Sequence, residues 1–419
     1  MRNVQTAAIV GAGPAACTLA ALLAQRGLKV FVFDDGKRPA MLVGESLIPA
    51  VVPLLRQLGI EDRTAAISQH KPGVSFLHDE TASIHFNFAP VAPRLPPYAY
   101  NVERLSFDAL LKTRAAELGA TMVRHRAGVV RAAGGREREV ELDAASLDAA
   151  PGLQGRQPDL LVDATGRSRL LARLLEIGAA RGPRDDMAYF AHFEEFAMPE
   201  PAGQVVIARL QQGWSWRIPL PGKISVGIVV SRDAARALGN SAEERLENAL
   251  QREPLMAGAV RQARRLSPVA AYANYQLTSH RSHGPGWVAI GDAFGFVDPM
   301  LSSGLFLAME SAAELDRVLA RGGPLGAYDK TMRRWYQSWS QLIAYFYDGR
   351  LFSLYEAGSL MRQNRPGAVQ QYADRSITQH LAGMTAGALT RSRRSQWILQ
   401  AASRFLVWGV PAPAQLAIR

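Results

Sequence analysis

Four small groups of residues in this 419-residue chain have the types and spacing that chemistry needs. Gly11, Gly13 and Ala16, in GAGPAA, stand in a G-x-G-x-x-A pattern. A first glycine there permits a tight turn, and a second lets a pyrophosphate approach the backbone. A third small residue lets helix and strand pack closely. Pro14 suits the first helical position, where the helix N-terminus would face the phosphates. Asp34 follows 23 residues after Gly11, with Asp35 beside it, and a carboxylate at that place can hold ribose hydroxyls. This pattern fits NAD and FAD alike. Lys71, in HKPGVSF, is a candidate amine whose pKa burial could tune. Trp214 and Trp216, in GWSWRIP, are two apart and so share one side of a strand. Plainer duties remain open for each group: a glycine turn in a bare sheet, a turn lysine ahead of Pro72, and two packed core tryptophans.

These residues need elements to hold them. Residues 6–12 are apolar and β-prone up to the glycines, 14–26 read as a helix, and LKVFVFDD (28–35) reads as a second strand. Its unbroken apolar run suits a parallel strand buried on both faces. Strand, glycine turn, helix and strand make a βαβ unit. Helices are expected at 48–60, despite Pro53, at 105–118, and from about Ser302 to Ala320. Hairpins are expected at 73–88 and in RAAGGREREVELDA. QPDLLVDATG (157–166) reads as a strand entering a turn, and 187–232 as alternating strands. After RGGPLG the chain reads as helical to its end. The N-terminal apolar stretch is read as this βαβ unit rather than as a signal peptide.

The motifs, taken together, resemble those of the aromatic hydroxylase and halogenase flavoproteins. GDAFGFVDP (291–299) resembles their second FAD signature. That resemblance implies Gly291 in the turn, Asp292 on the ribityl chain and Pro299 near the flavin ring. Arg104, in NVERLSFDALL, occupies the place of an arginine used on the FAD phosphates. DATGR, which begins at Asp163, resembles a shorter middle signature. GESLIP (44–49) resembles a stretch lying beside the flavin in flavin-dependent halogenases. Glu45 and Ser46 are therefore expected at the cofactor, with Glu45 a local hydrogen-bonding residue rather than a general base. Lys71 stands where that family has an essential lysine, and GWSWRIP matches its W-x-W-x-I-P pattern residue for residue. The similarity spans roughly residues 5–350.

The resemblance implies flavin C4a-hydroperoxide chemistry with FAD and O2. Trp214 and Trp216 would wall the substrate from the flavin. The backbone N–H groups of Ser303 and Gly304, at a helix start, would receive a halide. Lys71 would hold hypohalous acid by a hydrogen bond, or form a haloamine, and deliver the halogen. No second G-x-G-x-x-G appears, so a separate flavin reductase is expected to supply reduced FAD. The favoured function is halogenation of an electron-rich aromatic or polyene group. The alternatives are hydroxylation of an aromatic group, including a residue of a partner protein during cofactor maturation, a prenyl-reductase-type flavin reductase, and a non-catalytic flavin-binding protein.

Net charge is +11, and residues 330–419 hold twelve Lys/Arg against three Asp/Glu. That bias suits an acidic carrier or partner protein, or else a solvated basic face. No nucleic-acid motif is seen. SQWILQAASRFLVWGVPAP (395–413) suits a last packed helix, a docking segment or peripheral membrane contact. No run is long and apolar enough to span a membrane. Cys17 is the single cysteine, so a cytoplasmic setting is expected. The expected fold is α/β: a discontinuous Rossmann-like FAD domain (1–75, 98–180, 280–325), interleaved with a β-sheet substrate domain (76–97, 181–279), and a C-terminal helical segment (326–419). Length also argues against a free-tryptophan halogenase, whose chains carry a further substrate-binding region, and favours the phenol- and pyrrole-type relatives.

Overall fold

The apolar runs at Thr6–Val10, Lys29–Phe33 and Leu160–Asp163 have almost no exposed side chain, because both faces of the sheet they form are covered. In the computed structural model this sheet has six strands. Their order is His283–Gly284, Trp287–Ala289, Leu160–Asp163, Thr6–Val10, Lys29–Phe33, Thr121–Val123. All its pairings are parallel except that of the short His283–Gly284 edge. Helix Pro14–Gln25 packs on helices Ser303–Ala320 and Arg104–Glu117, which brings three sequence-distant motifs to one end of the sheet. The structure describes residues 4–79, 83–91, 94–133, 137–199 and 201–354, then 379–380, 382–388, 397, 401 and 417–418.

A second sheet of nine strands is largely antiparallel. Its central strands are Ala179–Glu194, Lys223–Ser231, Trp214–Leu220 and Val205–Arg209, and the hairpin Gly73–Leu77/Ser83–Asn87 extends it. Gly73–Leu77 joins by pairing in parallel with Val205–Arg209, so the sheet begins at Gly73, ahead of the boundary expected at residue 76. Alternation decides its two faces. Trp214, Trp216 and Ile218 point into the main core with Phe190 and Val229. Val226, Ile228 and Val230 point the other way, into a smaller core closed by Leu246, Leu250 and Met256.

The expected helices appear as Val52–Leu58 (after a short 3-10 turn, Pro49–Val51), Arg104–Glu117 and Ser303–Ala320. The hairpin in RAAGGREREVELDA appears as Val129–Arg131 paired with Val140–Leu142. Beyond RGGPLG the helix Leu325–Tyr347 buries Trp335, Trp339 and Phe346 in the main core, and so is part of it. The segment 395–413 lies outside the described residues apart from Trp397, which is exposed, and Ala401.

Candidate functional site

Gly11 has φ +102°, and a Cβ there would meet the Ala164 carbonyl oxygen at 2.5 Å. Only glycine therefore lets the first strand turn this close to the DATGR turn. Gly13 differs: a Cβ on it would touch nothing within 4 Å, because it borders a cavity. Helix Pro14–Gln25 starts there with no side-chain cap, and Pro14 and Ala15 line the same cavity. An uncapped helix start beside open space suits a phosphate. Ala16 is fully buried, as the third small position requires.

The cavity runs from this turn past the strap Val43–Ser46 to an apolar end. Arg104, Asp292, Pro299, Ser302 and Gly304 line its middle. Arg104 is anchored on the Asp108 carboxylate (3.0 and 3.2 Å) and donates to the Val43 carbonyl (2.6 Å). Burial pushes the Asp292 carboxyl up to about 6, against the pull of Arg104 and Arg167. Gly291 donates its N–H to Ser311 Oγ at 2.8 Å. Leu301 and Ser302 both adopt left-handed backbone angles (φ 59° and 57°) just before helix Ser303–Ala320. Consecutive non-glycine residues in this region are costly and persist only where the surrounding packing holds them. Ser303 is buried and its hydroxyl donates to the Asp298 carbonyl at 3.0 Å.

Three carboxylates sit off this cavity wall. Asp34 is held by Lys112 (2.5 Å) and Arg38 (3.1 Å) and accepts the Gly36 N–H. Burial raises its pKa, but these bonds outweigh burial and hold the carboxyl below its ordinary value. Asp35 is exposed and accepts the Lys37 N–H. Asp163 spends its oxygens inward, on the Thr165 N–H and hydroxyl and the Leu171 N–H. It shapes the DATGR turn from beneath.

Lys71 is 1% exposed. Its Nζ donates to Ser46 Oγ (2.7 Å) and to the Leu47 carbonyl (2.9 Å) and lies 5.4 Å from the Phe88 ring centre. No carboxylate among the described residues pairs with it. Burial alone lowers its pKa to about 7. The two acceptors match the two N–H groups of a neutral amine, which leaves its lone pair for the cavity. Beyond it stand Phe76, Phe86, Trp214, Trp216 and Ile218. The indoles are 5.9 Å apart, and Trp216 lies over Gly227, where any Cβ would collide with its ring. Trp216 Nε1 donates to Ser225 Oγ (3.2 Å), and Trp214 Nε1 to the Tyr347 hydroxyl (3.0 Å). Tyr347 in turn reaches the Asp298 carboxylate at 3.4 Å, and burial raises its own pKa well above the ordinary value.

Sequence reading missed His192, Ser225, Tyr347 and the cavity-lining Thr385. His192 Nε2 lies 2.8 Å from Glu45 Oε1, and both side chains are buried. Only pairing between distant segments brings these residues in, so no local pattern signals them.

A Gly-rich turn at an uncapped helix, an arginine and a carboxyl lining one cavity, and a second turn meeting the first define an FAD-type oxidoreductase. The residues fit the cofactor: Gly13 and Ala15 leave room for a pyrophosphate, and Arg104 and Asp292, on the same lining, would supply charge and hydrogen bonds. Comparison with known proteins narrows the class. The tryptophan halogenase family model matches residues 6–97 and 94–351, and the chain belongs to this flavin-dependent family. It is 29% identical over 357 residues to a tryptophan 2-halogenase of Chondromyces crocatus, covering 81% of this chain and 67% of the relative. It is 28% identical over 368 residues (83% and 87%) to a 1H-pyrrole-2-carbonyl-[peptidyl-carrier protein] brominase of Pseudoalteromonas luteoviolacea. The structure of the myxobacterial chondrochloren halogenase CndH superposes with a TM-score of 0.70 at 26% identity, over 94% of this chain and 99% of that one. The protein is thus an FAD-dependent, halogenase-type oxidoreductase.

Proposed function

We propose that this enzyme halogenates an electron-rich aromatic group held at the apolar end of the cavity, carried there by an acidic carrier or partner protein. The observation that carries the reading is Lys71: a buried amine held by Ser46 and Leu47, with no counter-ion among the described residues, its pKa lowered by burial, lining a cavity with an aromatic wall. Reduced FAD, with O2 and halide, supplies the electrophilic halogen. Ser303 and Gly304 offer backbone N–H groups to an anion at the strained turn. Lys71 holds the halogen at Nζ, by hydrogen bond or as a haloamine, and Trp214 and Trp216 keep the arene away from the cofactor end. The carrier-linked substrate of the pyrrole brominase and the basic composition of residues 330–419 both support a tethered substrate. A separate flavin reductase provides the electrons.

The test needs no known substrate. Reduced FAD and O2 are supplied with and without bromide, and a reactive phenol traps hypohalous acid in the presence of catalase. Bromide-dependent bromophenol, lost in Lys71→Ala with FAD content unchanged, is expected. Peroxide as the only product, with or without bromide, would refute halogenation.

A further inference from the structure

Tyr347 has no part in the reading above, yet it joins the tryptophan wall to the turn at 298–303. It is the last residue of helix Leu325–Tyr347 and is buried. Its hydroxyl accepts the Trp214 Nε1–H at 3.0 Å and points its own proton at the Asp298 carboxylate, 3.4 Å from each oxygen. The ring is held in plane: the Arg184 guanidinium lies 3.8 Å over its centre and is itself fixed by both Asp186 oxygens (2.6 and 3.2 Å).

Asp298 is fully buried and ties the turn together. One carboxylate oxygen accepts the Met300 N–H (2.9 Å), and the other accepts the Gln276 amide (3.2 Å). Its backbone carbonyl accepts the Ser303 hydroxyl (3.0 Å). Inside that loop stand Leu301 and Ser302, the two left-handed residues, and both line the cavity with Met300 and Gly304. Such backbone lasts only while its surroundings hold it, so whatever loosens Asp298 loosens the helix start at Ser303 and Gly304. A buried carboxylate that loses a donor also acts as a fuller negative charge, and a like charge close by weakens an anion site.

We infer that Tyr347 is a positioning residue for the anion at this turn: by bonding Asp298 and Trp214 at once, it holds the turn in its anion-receiving shape and ties that shape to the tryptophan wall. The inference rests on the reading of Ser303 and Gly304 as the halide's donors. It makes halide affinity depend on Trp214, a side chain of the second sheet rather than of the turn.

The test is the bromide affinity of the FAD-loaded protein at constant ionic strength, read as the saturable change in the bound flavin's visible spectrum. FAD occupancy is measured first. Tyr347→Phe keeps the ring and loses both bonds, and should raise the bromide dissociation constant about fivefold, the worth of one ordinary hydrogen bond. Trp214→Phe, which removes the indole donor, should raise it in the same direction. Tyr328→Phe is the control: it loses a buried hydroxyl bond of the same helix, to the Ala289 carbonyl (3.0 Å), and should leave the constant unchanged. In phenol trapping, Tyr347→Phe should raise KM for bromide in step with that constant while kcat holds. A wild-type constant in either Tyr347→Phe or Trp214→Phe would overturn the inference. So would an equal rise in Tyr328→Phe, which would reduce the effect to helix packing. If Tyr347→Phe holds FAD poorly, Trp214→Phe decides. No saturable bromide binding in the wild type overturns the halide site and this inference with it. Bromide binding without trapping overturns halogenation alone, and the affinities of the variants still decide the role of Tyr347.

Discussion

Lys71 and Arg217 are two buried cations on opposite sides of the tryptophan strand, and neither has an ion-pair partner among the described residues. Arg217 is 4% exposed, with Nη1 and Nη2 on the Ala197 and Leu255 carbonyls and its plane against Phe196. Burial lowers its pKa only to about 10, so it stays charged and ties the strand to the small core. Lys71 has two acceptors and a cavity, and burial brings it to about 7. The same desolvation yields a fixed strut in one place and a titratable amine in the other. The side chain's intrinsic basicity and the open space beside it decide which.

The sharpest way to break this contrast is Lys71→Arg. An arginine cannot give up its proton at neutral pH. If Lys71 acts through its neutral form, bromide-dependent trapping should fall by roughly 10²–10⁴, as for loss of a proton-transfer group. Retained trapping would mean that a permanent cation suffices. Next in size is Arg217→Met, which orphans two carbonyls and should cost about 1–3 kcal/mol in urea unfolding, with product per folded molecule unchanged. Activity lost without a loss of stability would give Arg217 a role in the site.

A third measurement concerns pH. Lys71 binds its proton less tightly when folded (about 7) than when unfolded (10.5). Between those values the unfolded chain carries more protons, so this group makes stability rise with pH, by up to about 1.4 kcal/mol per unit. Below pH 7 its full penalty is present. Lys71→Met should remove that increment, seen as a smaller difference between unfolding free energies at pH 7 and pH 9. An identical difference in both proteins would show that Lys71 is not desolvated. The smallest effect is Tyr347→Phe, which deprives Trp214 Nε1 of its acceptor and should cost about 1 kcal/mol. An unchanged unfolding midpoint would mean that the bond adds nothing.

The strand, turn and helix around Gly11 and Gly13 were readable because local residues dictate them: a positive φ, a close approach, an apolar run. The same holds for Trp214 and Trp216, whose shared side follows from strand alternation. Asp34 and Asp163 show where such reading stops. Sequence reading expected both at the cofactor. The fold engages Asp34 with Lys112 and Arg38, and turns Asp163 inward onto its own loop. The cations that reach Asp34 come from a helix and a loop whose approach no spacing encodes.

By itself, then, the sequence determined the dinucleotide-type glycine turn, the order of the motifs and the residue types available to the site, while FAD rather than NAD followed from the family resemblance those motifs carry. These depend on backbone conformations and periodicities set within a few residues. Tertiary structure alone decided what those residues became. Lys71 is a depressed-pKa amine because the strap at Ser46 and Leu47 closes over it. Glu45 is half of a pair because a strand 147 residues away delivers His192. Trp214 is held because the helix Leu325–Tyr347 ends with a hydroxyl 133 residues further on. Desolvation and long-range hydrogen bonds are properties of the packed chain, and composition and spacing do not contain them.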